Sequence, residues 1–181
     1  MKYPDVMVDL ETTGTSPDET AIIQIAAVRF NLETGEVDPR VFDQCLLIPP
    51  TRYWDEDTRR WWSKMPAVLE SIWKRMRPPR DVVYEFAQWV REGCADDPVF
   101  WSKPLSFDYP FMQSYFREFE VGNPFFFRNA ENLNTFIRAR HFPEKPPAFE
   151  KLIPFDGDEH NAIDDVFHQI KVLFAAYEAT K

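Results

Sequence analysis

The segment Ala21–Phe30 constrains the fold more than any other part of the sequence. It reads AIIQIAAVRF and is rich in Ile, Val and Ala, without an alternation of polar and apolar side chains. A strand with one face in water alternates, whereas a strand covered on both faces is apolar nearly throughout. The segment therefore predicts a strand inside a sheet, with other elements packed on both sides.

The segments on either side of this strand predict two more strands. Asp5–Leu10 (DVMVDL) is a short apolar run followed by turn-forming residues, and Val41–Ile48 (VFDQCLLI) is a second run that ends at Pro49-Pro50. Thr34-Gly35-Glu36 supplies the turn between the second and third strands. Short connections of this kind predict an antiparallel meander.

Helical periodicity dominates the rest of the chain. Gly93 is a predicted helix C-cap, and the last helix carries an apolar stripe that should face the core. The predicted helices are Thr58–Lys64, Pro66–Arg77, Asp81–Gly93, Asp108–Glu120, Asn132–Arg140 after a strand end, and a final one with the stripe Ile163, Val166, Phe167, Ile170, Leu173, Phe174 and Tyr177; Pro98–Trp101 is a brief strand.

Composition excludes several classes of protein. The chain has 181 residues, 21 Lys+Arg, 30 Asp+Glu and a net charge of −9, which argues against a protein that coats duplex nucleic acid. We expect one domain over residues 1–181, with no signal peptide and no membrane span. Cys45 and Cys94 lack metal-type spacing, which favours reduced core thiols in a cytoplasmic protein.

Two carboxylates stand close together on the first predicted strand, as Asp9 and Glu11 on either side of Leu10. Positions i and i+2 of a strand face the same side about 6.6 Å apart, so both side chains reach one volume. Oxygen ligands on one face suit hard cations such as Mg²⁺ or Mn²⁺. Acids are also ordinary at a solvent-exposed strand end, and this tripeptide alone leaves both interpretations open.

Further polar groups lie at the starts of two helices. Asp108 follows the strand Pro98–Trp101, at the sheet edge where α/β folds place ligands, although Asp is also a favoured helix N-cap. His160 precedes Asp164 and Asp165 by four and five positions, so imidazole and carboxylate can both reach a site beyond the helix end. The spacing does not decide which of the two acids is the ligand.

Together these segments resemble the DEDD superfamily of 3′–5′ exonucleases, in its histidine (DEDDh) subgroup. The family pattern Asp-x-Glu-Thr-x-Gly is matched by Asp9–Gly14, an aromatic followed by Asp by Phe107-Asp108, and His-x-Ala-x-x-Asp by His160–Asp165. The second motif often carries an Asn a few residues before its Asp. Here that stretch is Lys103-Pro104-Leu105-Ser106, so we expect a differently constructed loop.

The resemblance implies a fold and a reaction. The fold is α/β and ribonuclease H-like, with a mixed five-stranded sheet of three antiparallel strands followed by two parallel ones, flanked by helices. Four acids would hold two divalent ions, Mg²⁺ or Mn²⁺, and His160 would act as general base in the release of nucleoside 5′-monophosphates from 3′ ends. The metal ligands implied are Asp9, Glu11, Asp108 and Asp165.

The resemblance also implies contacts to substrate, most naturally single-stranded DNA or RNA. Leu10 would wedge against the terminal base and Thr12 would contact the terminal ribose, while Trp61 is our candidate for base stacking. The pair Trp61-Trp62 and the stretch Trp101–Lys103 are similar to the group of phage exonuclease A and exodeoxyribonuclease VIII.

A basic cluster admits two interpretations, a phosphate track or compensation of a helix dipole. It consists of Lys74, Arg75, Arg77 and Arg80.

Three other functions remain open at this point: a ribonuclease H-type endonuclease, a non-catalytic binder of 3′ ends, and an acidic protein-interaction module.

Overall fold

The predicted interior strand lies in the middle of a six-stranded mixed sheet in the computed structural model, which describes residues 2–158 and 160–181. The strands are β1 (Tyr3–Thr12), β2 (Ile22–Phe30), β3 (Phe42–Leu46), β4 (Met76–Arg77), β5 (Cys94–Ser102) and β6 (Ala130–Asn132). The helices are α1 (Glu56–Trp62), α2 (Pro66–Trp73), α3 (Pro79–Gly93), α4 (Leu105–Glu118), α5 (Leu133–His141), α6 (Phe149–Leu152) and α7 (Ala162–Glu178).

The sheet has the order β4-β3-β2-β1-β5-β6. β1 and β2 pair antiparallel, as do β2 and β3, whereas β5 lies parallel to β1 and β6 parallel to β5. This confirms the α/β class, with antiparallel strands followed by parallel ones. All nine residues of β2 are buried, as an interior strand requires.

The strand number needs a correction from five to six, because β4 occupies residues that were predicted as the end of a helix. α2 ends at Trp73, and Met76 and Arg77 pair in parallel with Cys45 and Leu46 of β3. Pro78 follows at once and disfavours helical backbone in the residue before it. A strand of two residues is too short to show a periodicity in the sequence.

Helices cover both faces of the sheet. α3 and α4 pack on one face, where Phe86 and Met112 share a buried core with the β-strand residues Val8 and Ile25. α5 and α7 pack on the other, where Val166 and Ile170 join the core with Met7 and Val28. Because β1 alternates between the two layers, the side chains of Met7, Asp9 and Glu11 lie on the face that carries α7.

The buried face of α7 differs in part from the predicted stripe. Val166, Ile170 and Leu173 are buried as expected, but Phe167 is 36% exposed and the polar Gln169 is only 7% exposed. Small residues explain the rotation: Ala162 and Ala176 are buried and allow the helix to approach the sheet closely. A pattern based on large apolar residues overlooks this face.

Gly93 also has a different role from the predicted C-cap. It is the last residue of α3, and the cap is Cys94 in an extended conformation. A Cβ atom at Gly93 would lie 1.5 Å from Nη1 of Arg29. The glycine therefore makes room for the buried Arg29 side chain, which forms a 2.7 Å ion pair with Asp38.

Both cysteines are free and buried, and burial raises the pKa of Cys45 to about 11 and that of Cys94 to about 12. Among the described residues, no helix combines the length and apolar character that a bilayer crossing demands. The assignment of residues 1–181 to one domain stays a prediction.

Candidate metal centre and nucleic-acid site

The end of β1 carries two acids of the candidate site. Glu11 is 8% exposed and Asp9 is partly buried, and both face the layer formed by α7. Leu10 points to the opposite layer, where it joins the core with Val6 and Val8. The strand alternation thus places both carboxylates in one cleft, in the arrangement that the sequence predicts.

Asp108 enters the same cleft from α4. It lies in the first turn of the helix, whose N-cap is Pro104, so Asp108 is not the N-cap. The side chain is 2% exposed, and its Oδ2 has no hydrogen-bond partner among the described residues. A buried carboxylate oxygen that caps nothing is suited to a ligand.

The start of α7 separates the roles of the two neighbouring acids. Oδ2 of Asp164 accepts hydrogen bonds from Asp158 N and Asn161 Nδ2, so this acid holds the loop before the helix. Asp165 turns to the cleft, and one ligand atom each from Glu11, His160 and Asp165 lie within 4.8 Å of one another. The structure therefore brings Asp165, and not Asp164, to the candidate site.

His160 is held by its backbone at the mouth of the cleft. Its N–H donates to Oδ2 of Asp165 at 3.0 Å, and its φ of 66° lies in the left-handed region that non-glycine residues rarely adopt. Such a conformation persists only where surrounding contacts hold it. The imidazole itself is exposed and stands 4.8 Å from the Trp61 ring, measured between ring centroids.

Electrostatics at the cluster favour protonation when no cation is present. Burial raises the pKa of Asp9 to about 7, and the Asp165 charge contributes. Burial also raises the pKa of Glu11 and that of Asp108 well above their usual ranges, with the Asp9 charge adding to both shifts. Several ionised carboxylates this close together in a buried site cost free energy unless a cation or protons neutralise them.

These residues fit a hard divalent cation. The donor set consists of carboxylate oxygens, with the imidazole of His160 beside them, and carboxylate oxygens suit Mg²⁺ or Mn²⁺ better than a soft metal. The unpartnered oxygen of Asp108 supplies a further free donor. The ammonium group of Lys103, whose charge lowers the pKa of Asp9, already pairs with Glu150 at 2.6 Å.

Gln169 belongs to the site and was missed by the sequence analysis. Its Nε2 donates to Oδ1 of Asp9 at 2.8 Å and lowers the pKa of that acid, whereas its Oε1 is buried without a hydrogen-bond partner in the described chain. The available signal was its position four residues after Asp165, next to an apolar stripe. A polar residue there indicates a buried polar contact.

The predicted substrate contacts line one cleft of about 200 Å³ next to the acids. Leu10, Thr12 and Trp61 all border it, together with Phe107. Trp61 is 37% exposed, whereas the hydroxyl of Thr12 donates to the Gly14 carbonyl at 2.7 Å. That hydroxyl remains able to accept a hydrogen bond.

α1 is held against the end of β1 by close contacts, which fixes Trp61 over the cleft. A Cβ at Gly14 would lie 2.9 Å from Cβ of Asp55, the residue whose side chain caps α1. Trp62, 1% exposed, donates from Nε1 to the Thr12 carbonyl at 3.0 Å. The two adjacent tryptophans thus divide their roles, one in the core and one at the cleft.

The basic cluster is engaged in ion pairs. Lys74 pairs with Glu70 at 2.7 Å on the same helix. Arg75 pairs with Asp43, and Arg77 with Glu85, both at 2.6 Å. Three of the four cations therefore have carboxylate partners within the protein, and their clustering does not require a bound phosphate.

A family model described as the 3'-5' exoribonuclease Rv2179c-like domain matches residues 4–177. The chain belongs to this family. The Rv2179c-like chain is thus a domain of the 3′–5′ exonuclease class, in agreement with the DEDDh resemblance. Its likeness to the phage exonuclease A group stays a prediction. No curated protein sequence matches the chain.

Solved structures share the fold of this Rv2179c-like domain. Cell-death related nuclease 4 (CRN-4) aligns with a TM-score of 0.73 and 19% identity, over 98% of this chain and 64% of that one. The nuclease domain of 3'hExo, a DEDDh family member bound to rAMP, aligns at 0.71 and 16%, over 98% and 93%. Apo exonuclease I aligns at 0.68 and 14%, over 99% of this chain but 44% of its own.

Proposed function

We propose that this chain removes nucleotides one at a time from the 3′ ends of single-stranded RNA, with Mg²⁺ or Mn²⁺ as cofactor. The observation that carries the proposal is the cluster in which ligand atoms of Glu11, His160 and Asp165 lie within 4.8 Å of one another, with the charges of Asp9 and Asp108 close enough to raise the pKa of Glu11. The family description favours RNA over DNA as substrate.

The acids have one role and the histidine another. Asp9, Glu11, Asp108 and Asp165 would hold two divalent ions. When bound, the ions supply Lewis-acid charge to the phosphate and lower the pKa of the attacking water. The exposed imidazole of His160 takes the proton of that water as general base.

The residues around the cleft orient the 3′-terminal nucleotide for this attack. Trp61 and Leu10 contact the terminal base, and the Thr12 hydroxyl accepts a hydrogen bond from the ribose. Water oxygen then bonds to phosphorus while the bond to the 3′ oxygen of the preceding nucleotide breaks. The products are a nucleoside 5′-monophosphate and a shortened strand with a free 3′ hydroxyl.

The two neighbouring acids of α7 provide a matched test. RNA and DNA of the same sequence, labelled at the 5′ end, are incubated with Mg²⁺ or Mn²⁺ and wild type, Asp165→Asn or Asp164→Asn. We expect a ladder of products from the 3′ end of the RNA with wild type and with Asp164→Asn, and its loss with Asp165→Asn. The substitutions are chemically identical, which controls for charge and for contaminating nucleases.

Three results would contradict the proposal in different ways. A ladder that persists with Asp165→Asn would remove the site assignment. Cleavage of a circular RNA would indicate an endonuclease, and binding of RNA without any metal-dependent products would indicate a non-catalytic binder. A ladder on DNA alone would overturn the choice of RNA.

A further inference from the structure

The chain segment that leaves β5 brings a lysine next to the acidic cluster. Lys103 is the first residue beyond β5, which lies parallel to β1 with Trp101 opposite Met7. Two positions further along each segment are Lys103 and Asp9. Met7 and Trp101 share the buried core on the α7 side of the sheet, so side-chain alternation directs Lys103 to the side that carries Asp9.

Glu150 meets the ammonium group of Lys103 on this same side. α6 packs against the α7 layer through Phe149, which is 8% exposed, and the next residue, Glu150, forms an ion pair with Nζ of Lys103 at 2.6 Å. The charge of Lys103 also acts on the cluster: burial raises the pKa of Asp9, and the ammonium group opposes this rise. Lys103 is therefore close to Asp9 while it is paired with α6.

The ion pair between Lys103 and Glu150 is open to solvent. The side chain of Lys103 is 29% exposed and that of Glu150 is 47% exposed. An ion pair in contact with water contributes little to stability, so another anion can take the place of the glutamate.

The charges of the proposed site explain the value of a cation at this position. The four ionised acids and two divalent ions cancel in charge, so the loaded cluster has no net charge to offset that of a phosphodiester. Lys103 adds a positive charge beside Asp9, in a chain whose net charge is −9. An ammonium group and a phosphate oxygen form a strong, charge-assisted hydrogen bond.

We infer that Lys103 binds a non-bridging oxygen of the scissile phosphate, and that this phosphate displaces Glu150 from the ammonium group. The inference rests on the proposed function and adds a substrate-binding residue to it. Because Glu150 competes with the substrate for one cation, the two partners of this ion pair have opposite effects on RNA binding.

The test measures the affinity for a six-nucleotide RNA, labelled at the 5′ end, with Mn²⁺ and in a His160→Ala background that preserves the RNA. We expect Lys103→Gln to raise Kd about tenfold and Glu150→Gln to lower it about twofold to fivefold. Lys103→Arg should retain most of the affinity. Lys181→Gln and Glu178→Gln, which break an ion pair at the far end of α7 from His160, are the matched controls and should leave Kd unchanged.

Two further measurements identify the contact as one to a phosphate. Affinity for a single strand falls with salt according to the number of phosphates that the protein neutralises, so Lys103→Gln should reduce the slope of log K against log salt by about 0.7. A neutral methylphosphonate at the 3′-terminal linkage should abolish the difference in Kd that Lys103→Gln causes. The same group at the third linkage from the 3′ end should preserve that difference.

Weaker binding by both Lys103→Gln and Glu150→Gln would overturn the inference, since the ion pair would then serve only to hold α6. An unchanged salt slope, or a difference that survives the terminal methylphosphonate, would also overturn it while leaving the exonuclease intact. Absence of metal-dependent hydrolysis by wild type would instead refute the proposed function.

Discussion

At the scale of single residues, Gln169 supports the acidic cluster through one contact. Its amide donates to Asp9 at 2.8 Å from a position that is 7% exposed. Gln169→Met keeps the volume and removes the donor. We expect the Mn²⁺ concentration that half-maximally raises the melting temperature to increase about tenfold, as for other residues that orient metal ligands.

The control for this variant is Gln88→Met on α3, away from the acids. Unchanged metal titrations for both variants would show that the Gln169 contact has no influence on the site. Equal shifts in both would indicate a general loss of stability.

His160 should separate turnover from metal binding. Its imidazole is exposed at the mouth of the cleft, while the proposed metal ligands are carboxylates that are buried or partly buried. We expect His160→Ala to lower kcat by about 10²–10⁴-fold, the usual contribution of a general base, with most of the metal-induced rise in melting temperature retained. His141→Ala, at the end of α5, is the control. A His160→Ala variant with wild-type kcat would exclude this histidine as the base.

The sequence predicts residues whose spacing alone defines a face, and it misses those whose role depends on a partner far along the chain. Asp9 and Glu11 follow from strand alternation. Gln169 does not, because its partner lies 160 positions away and only the packing of α7 on β1 brings the two together. Asp164 and Asp165 are indistinguishable by spacing, and the loop contacts of Asp164 separate them.

At the scale of elements, Gly93 lets the end of α3 pack directly against the buried side chain of Arg29. Its missing Cβ leaves space for a guanidinium that pairs with Asp38 and donates to the Trp89 carbonyl at 2.8 Å. Gly93→Ala forces this group to move within a packed interior. We expect the free energy of unfolding to fall by about 2–3 kcal/mol, measured by urea denaturation.

Gly122→Ala is the control, since its added Cβ would meet only Nη2 of the exposed Arg91 at 3.2 Å. Equal stability of the Gly93→Ala variant and wild type would mean that Arg29 relocates at no cost.

Most elements were predictable because their periodicity extends over several turns or a full strand. The exceptions have local physical causes. β4 is a strand because its two residues pair with Cys45 and Leu46 at the edge of β3. The intrinsic strand propensity of two residues does not predict such a pairing. The exposure of Phe167 follows from the close approach of α7, which small alanines permit.

At the scale of the whole molecule, the acidic cluster should make stability depend on pH. The pKa of Asp9 is raised to about 7, above the value of about 4 in an unfolded chain. The stability from its protonated form is complete below about pH 4 and is lost as pH rises through 7. Without metal, we expect Asp9→Asn to melt at a higher temperature than wild type, with a difference that grows between pH 5 and pH 8.

Metal should reverse this trend, because its ligands must lose their protons before they bind. We expect Mn²⁺ to raise the melting temperature of wild type more at pH 8 than at pH 6, and to leave Asp9→Asn nearly unaffected. If the melting temperatures of wild type and Asp9→Asn, measured in EDTA, changed with pH in the same way across this range, the repulsion assigned to the acidic cluster would be contradicted.

The strand order has a consequence for behaviour at high concentration. Both edges of the sheet are very short strands, β4 with two residues and β6 with three, and Pro78 directly follows β4. Unpaired backbone groups at an edge are what neighbouring molecules use to extend a sheet, and short strands and proline limit this. The long apolar strands β1 and β2 are thereby kept from intermolecular pairing as long as the fold is intact.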